Sequence, residues 1–160
     1  MSMLGIEIDT RSARSGHADP EDQFITFASD GVDYGVGIMA VREIRSWQPT
    51  TPLPKRGSAA KGVLDVRGTV VEVFELAGLL GGRTREPTTG SVVLVLALED
   101  RTIGLLVDSV SDIIQAPQDE LLPVPRLNEG VADPVGCMVS TGDRMVGILD
   151  LKALFPTTSG

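Results

Sequence analysis

The side chains of this 160-residue chain that could do chemistry are few and scattered. Its one histidine, His17, lies in a polar opening stretch with no patterned segment to position it, which argues against a Ser-His or Cys-His nucleophile pair. Its one cysteine, Cys137, stands in the apolar run VGCMVS, where a buried and inert thiol is expected. A single thiol also excludes an internal disulfide and fits a reducing compartment. No Cys and His spacing suits zinc. Glu72 and Glu75 are three apart on a predicted strand, so they point to opposite faces. Asp108 and Asp112 can share a face on a strand or a helix, and solvated charge accounts for both. Apart from Gly81-Gly82 the glycines fall singly, mostly at turns, and Gly35 and Gly37 precede more strand, which is not a phosphate loop. These patterns call for no cofactor or metal and favour binding over catalysis.

One charged residue stands out by position. In GVLDVRGTVVEVFEL, Gly62 to Leu76, two Val-rich runs flank Arg67-Gly68, which reads as a hairpin with an arginine near its tip. Two turn registers are open. If Gly68-Thr69 form the turn, Arg67 faces Val70 and Asp65 faces Glu72; if Arg67-Gly68 form it, Asp65 faces Val70 and the arginine projects. Gly68 supplies positive φ at low cost in either case.

The elements that must hold this hairpin read as all-β. FITFAS (24–29), YGVGI (34–38), MAVREI (39–44), SVVLVLAL (91–98) and TIGLLV (102–107) are rich in Val, Ile and Thr, with Asp30-Gly31 and Glu99-Asp100 as turns. Residues 1–22 are polar and read as a tail. The net charge of −8 argues against nucleic acid or anionic lipid as the main partner. The charge is uneven: residues 24–85 carry eight Lys/Arg against six Asp/Glu, and residues 91–156 carry four against ten, suiting two surfaces to two partners. No apolar run approaches the ~18 residues a membrane span needs, and the opening lacks a secretory signal, so a cytoplasmic location is expected.

The chain repeats itself. A shift of 69 residues lays GVGIMAVREI (35–44) on GLLVDSVSDI (104–113), matching Gly35 with Gly104, Val41 with Val110 and Ile44 with Ile113. A shift of 75 lays VEVFELAGLL (71–80) on VGILDLKALF (146–155), matching Val71 with Val146, Leu76 with Leu151 and Leu79 with Leu154. Each unit closes on a short helix, entered at Glu75 or Asp150 and ended by Gly81-Gly82 or Pro156. The expected fold is two small pseudo-symmetric β-barrels, one over about 24–85 and one over about 91–156, joined around 82–90 and sharing an apolar seam.

The hairpin run resembles the G-V-x-N-L-R-G-x-x-x-P-V-x-D-L signature of CheW-type chemotaxis coupling proteins. FITFASDGVDYGVGIMAVREI is similar to that family's opening strands, TTPLP (50–54) to its proline-bearing link, VVLVLALEDRTIGLLVDSVSDII to its middle segment, and GDRMVGILDLKALF to its close. The resemblance covers roughly residues 22–156. It implies two five-stranded, SH3-like barrels and a non-enzymatic adaptor, a monomer when alone, that joins the cytoplasmic tip of a methyl-accepting chemoreceptor to the regulatory domain of a CheA-type histidine kinase at receptor arrays. That kinase domain shares the fold. By motif position, Val41, Glu43 and Arg67 match positions linked to receptor binding, while Gly62, Asp65 and Gly68 match the signature turn. The acidic second half is then the kinase-facing candidate. Asp65 replaces the usual Asn, Glu72 the usual Pro and Glu75 the usual Asp. The first two put carboxylates around Arg67, which they are expected to hold in part. A coupling protein of an array governing development, surface motility or second-messenger output fits the same residues. A hydrolase using Asp108 or Asp112 would instead need a deep pocket around a perturbed carboxylate.

Overall fold

The computed structural model describes residues 19–51, 60–82, 86–124 and 134–155. His17, Pro52 to Pro54 and Pro156 lie outside them. Among the described residues, eleven strands and two one-turn helices follow in chain order: β1 (Gln23–Ser29), β2 (Val32–Gly37), β3 (Val41–Ser46), β4 (Ala60–Val66), β5 (Thr69–Glu75), α1 (Leu76–Leu79), β6 (Val92–Ala97), β7 (Thr102–Val107), β8 (Ser109–Gln115), β9 (Leu122–Pro123), β10 (Val135–Thr141), β11 (Arg144–Leu149) and α2 (Leu151–Leu154). The expected tail ends sooner than residue 22. Pro20–Asp22 form a 3-10 turn, and the Asp22 carbonyl accepts the Ala116 N–H at 2.7 Å.

The strands make two sheets, ordered β3-β6-β7-β5-β4 and β8-β1-β2-β11-β10-β9. Neither half of the chain closes a sheet alone, which corrects the division at 24–85 and 91–156. Each sheet takes its middle hairpin from one half and its flanking strands from the other, so β6–β7 complete the sheet of β3, β4 and β5, while β1–β2 complete that of β8, β10 and β11. In each case the inserted hairpin meets the last strand in parallel.

The pairing registers carry the duplication residue by residue. Ile25 pairs with Val36 as Leu94 pairs with Leu105, and Leu64 with Val71 as Val139 with Val146. The parallel contact Ile148–Gly35 repeats as Val73–Gly104. Even the bulges repeat, at Arg42 and Ser111 and again at Lys61 and Gly136. The two matched glycines have a packing reason. A Cβ on Gly35 would stand 3.0 Å from Ile148 Cδ1, and one on Gly104 3.0 Å from Val93 Cγ1. Each marks a close approach between the hairpin and the core of its sheet.

Both sheets close in one way: the chain leaving the outer strand returns to the strand at the opposite edge. Thr51, beyond β3, bridges Val63 of β4, and β9, beyond β8, pairs with Cys137 and Met138 of β10. Three buried clusters result. Val66, Val71, Val73, Val93, Val95 and Leu106 fill the first sheet, with Trp47 and Leu64 against them. Phe24, Ala116, Val139, Val146 and Ile148 fill the second. The largest cluster, including Ile25, Phe27, Leu76, Leu94, Leu96 and Leu105, lies between them as the shared seam. Alternation sends β1 and β6 to both, since their inward residues serve a barrel and their outward ones the seam.

The helices enter by different means. Asp150 caps α2, its Oδ1 accepting from Lys152 N at 3.1 Å and Ala153 N at 3.3 Å. Glu75, one methylene longer, makes no such cap; its buried carboxylate lies 3.4 Å from Lys61 Nζ at the β4 bulge.

Candidate functional site

The β4–β5 hairpin settles the turn register. Val66 pairs with Thr69 and Asp65 with Val70, so Arg67-Gly68 form the two-residue turn. Both have left-handed backbone, φ 54° at Arg67 and 87° at Gly68, as a type I′ turn requires. The chain tolerates this because Asp65 Oδ1 accepts the Gly68 N–H at 2.8 Å, tying the turn to the strand below it. Gly62 serves a different need. Its φ is 114°, and a Cβ there would lie 2.5 Å from the Thr51 carbonyl oxygen, inside the bridge that closes the sheet.

Arg67 lies next to an acid, but not to the expected ones. Its Nε is 3.5 Å from Glu43 Oε1, across from β3. Asp65 is engaged by the turn amide, and Glu72 sits opposite Val63, two residues further along the hairpin. The expectation that Asp65 and Glu72 hold the arginine is therefore corrected. Cross-strand register decides which side chains share a face, and closure of the barrel brings β3 to the hairpin tip.

Glu43 also meets a second cation. Arg45 Nε lies 3.5 Å from its Oε2, and Arg45 Nη1 donates to the Asp65 carbonyl at 3.4 Å. Glu43 and Arg45 pair in the sheet with Val95 and Val93, whose side chains belong to the barrel core. They thus lie over the rim of that core, where their side chains keep 24% and 27% exposure. Arg67 at the tip keeps 85%. The order is a carboxylate clamped between two guanidinium groups, one held and one presented to solvent, with Val70 beside it 70% exposed.

Val41 does not join this surface. The bulge at Arg42 breaks the alternation of β3, so Val41 packs opposite Leu96 in the shared seam, only 8% exposed. Arg45 and Val70 are the residues sequence reasoning missed. The alternation Glu43, Arg45, Trp47 carried the signal for Arg45, since a core-packing Trp47 places all three on one side.

The pseudo-equivalent place in the other barrel keeps a carboxylate but neither arginine. Asp112, Ile114 and Ala116 stand where Glu43, Arg45 and Trp47 do, and Ser140 and Gly142 stand where Asp65 and Arg67 do. Ala116 is core there, and the half-buried Ile114 packs against it. The duplication has kept the scaffold and placed the two clamping arginines in one copy only.

The two aspartates that could serve a hydrolase accept backbone hydrogen bonds. Asp108 Oδ2 accepts the Asp30 N–H at 2.8 Å, pinning the β1–β2 turn, and Asp112 Oδ1 accepts the Ile113 N–H at 2.7 Å. Asp108 lines a pocket of about 190 Å³ with Ser29, Glu75, Glu86 and Ser91, while Asp112 does not. Cys137 lies against the second barrel's core, and burial pushes its thiol pKa up, away from the reactive thiolate. Among the described residues no three His, Cys, Asp or Glu side chains are grouped to hold a metal, and no helix is long and apolar enough to cross a membrane.

Fold and site together define a doubled β-barrel that presents a charged hairpin tip, a binding module in class. Residues 23–159 match the CheW-like domain family model, and the chain belongs to that family. It is 34% identical over 137 residues to the chemotaxis protein CheW of Rhizobium meliloti, covering 84% of this chain and 88% of the relative. The Bacillus subtilis chemotaxis protein CheW is 27% identical over 139 residues, covering 86% and 89%. Among solved structures, the scaffolding protein TtCheW of Thermoanaerobacter tengcongensis matches with a TM-score of 0.77 at 23% identity, over 86% of this chain and 94% of that one.

Proposed function

We propose that this chain is a non-enzymatic scaffold of chemotaxis signalling that couples the cytoplasmic tip of a methyl-accepting chemoreceptor to the regulatory domain of a CheA-type histidine kinase. The observation that carries the receptor end is Arg67, held in a left-handed conformation at a hairpin tip with its guanidinium 85% exposed. A non-glycine residue at positive φ is strained, and strain kept at an exposed tip points to use. Glu43 sets the direction of that guanidinium, so the receptor surface is Arg67, Glu43 and the exposed Val70, with Gly62, Asp65 and Gly68 shaping the hairpin beneath it. Val41 contributes through the core. The kinase end belongs to the more acidic second half, residues 91–156.

In this reading the protein is a cytoplasmic monomer when alone and joins receptor arrays through its two partners. The test is a pull-down of a co-encoded CheA-type kinase with and without a receptor cytoplasmic fragment. The wild-type chain should retain each partner separately and both together, and Arg67→Ala should lose the receptor fragment while retaining the kinase. Capture of neither partner by a folded chain would refute the proposal.

A further inference from the structure

The clamp on Glu43 contains a residue that the proposed contact set does not use. We propose that Arg45 is a positioning residue for receptor binding: by holding Glu43 from the opposite side, it leaves Arg67 releasable to a carboxylate on the receptor. This rests on Arg67 being the receptor-contacting residue.

The geometry separates the two cations. Arg67 meets Glu43 Oε1 and Arg45 meets Oε2, each at 3.5 Å, so neither displaces the other. Arg45 is further tethered at 3.4 Å to the Asp65 carbonyl, across edge strands that share no ladder. With 27% exposure against 85%, Arg45 is the cation that stays and Arg67 the one that can move. If Arg67 turns to a partner's carboxylate, Glu43 keeps a counter-charge. Without Arg45, the same movement strands a three-quarters-buried carboxylate, and Arg67 is held to Glu43 more tightly.

The duplication gives an independent argument that this position needs no charge for folding. Its counterpart is Ile114, half-buried and packed against the core of the other barrel. An aliphatic side chain therefore fills this slot of the scaffold, and the arginine is there for its charge.

The experiment measures the Kd for the purified cytoplasmic hairpin fragment of a co-encoded chemoreceptor, alongside the melting temperature of each variant. Arg45→Ile, which copies the counterpart, should keep or raise the melting temperature and weaken binding about two- to fivefold. Arg45→Gln, which keeps a donor for the Asp65 carbonyl without the charge, should show the same loss, and Arg45→Lys should restore most of it. In a Glu43→Gln background, Arg45→Ile should change Kd by less than about twofold, because no carboxylate is left to share. Wild-type affinity in both Arg45→Ile and Arg45→Gln overturns the proposal. An equal loss in the Glu43→Gln background also overturns it, since Arg45 would then touch the receptor itself. Full binding by Arg67→Ala removes the underlying contact reading instead, a result visible separately in the same titration.

Discussion

Replacing Arg67 with asparagine should stabilise the protein while weakening its partner. The turn holds Arg67 at φ 54°, where a non-glycine side chain costs about 1 kcal/mol and asparagine much less. Against this stands the ion pair to Glu43, 3.5 Å long and with the arginine 85% exposed, so solvent screening limits it to roughly 0.2–0.5 kcal/mol. The balance is a gain of about 0.5 kcal/mol, a rise of one to two degrees in melting temperature for a domain of this size. Receptor affinity should meanwhile fall by about 1–3 kcal/mol, as for removal of an interface anchor. Urea unfolding and binding to a receptor fragment, measured on the same preparations, read the two effects separately. A variant destabilised by more than about 1 kcal/mol would refute the argument, because the arginine would then support the fold.

Gly62→Ala should cost at least 2–3 kcal/mol in urea unfolding and Gly68→Ala about 1, since a Cβ at Gly62 meets the Thr51 carbonyl at 2.5 Å whereas one at Gly68 meets nothing within 4 Å. The matched glycines of the repeat should behave alike, so Gly35→Ala and Gly104→Ala should each destabilise by about 1–3 kcal/mol, and sharply unequal costs would weaken the case that the two barrels are equivalent. Cys137 supplies a pH dependence. Burial raises its pKa in the fold, so the unfolded thiol ionises first; its contribution is complete below the ordinary thiol pKa of about 8.5 and is lost as pH rises through the folded value. Stability between pH 8 and pH 10 should therefore fall less in Cys137→Ala than in wild type, and thiol-reagent labelling of the native protein at pH 8 should be slow.

Much of this architecture was written in local pattern. The hairpins followed from turn residues between Val-rich runs, and Asp30-Gly31, like Arg67-Gly68, proved a turn with both backbones left-handed. The duplication showed in Gly35 and Gly104, because both answer the same steric demand. What stayed hidden depends on distant partners. Nothing local to β6 says that it will pair with β3, so the exchange of hairpins between halves could not be read from composition or periodicity. Val41, grouped with Glu43 by motif position, lies on the other face for a nearer reason, since the bulge residue Arg42 stands between the two. The ion partner of Arg67 was likewise hidden, because Glu43 reaches it only once β3 and the hairpin tip face each other. Glu75 and Asp150 looked interchangeable, yet the extra methylene sends one to Lys61 and leaves the other as a cap.

The most direct measurement of the central claim is autophosphorylation of a co-encoded CheA-type kinase, reconstituted with receptor-bearing membranes and this chain. Kinase activity should rise only when all three are present, and Arg67→Asn should abolish that rise while the variant remains folded and still binds the kinase. Full receptor-dependent activity with Arg67→Asn, or without this chain at all, would contradict the account.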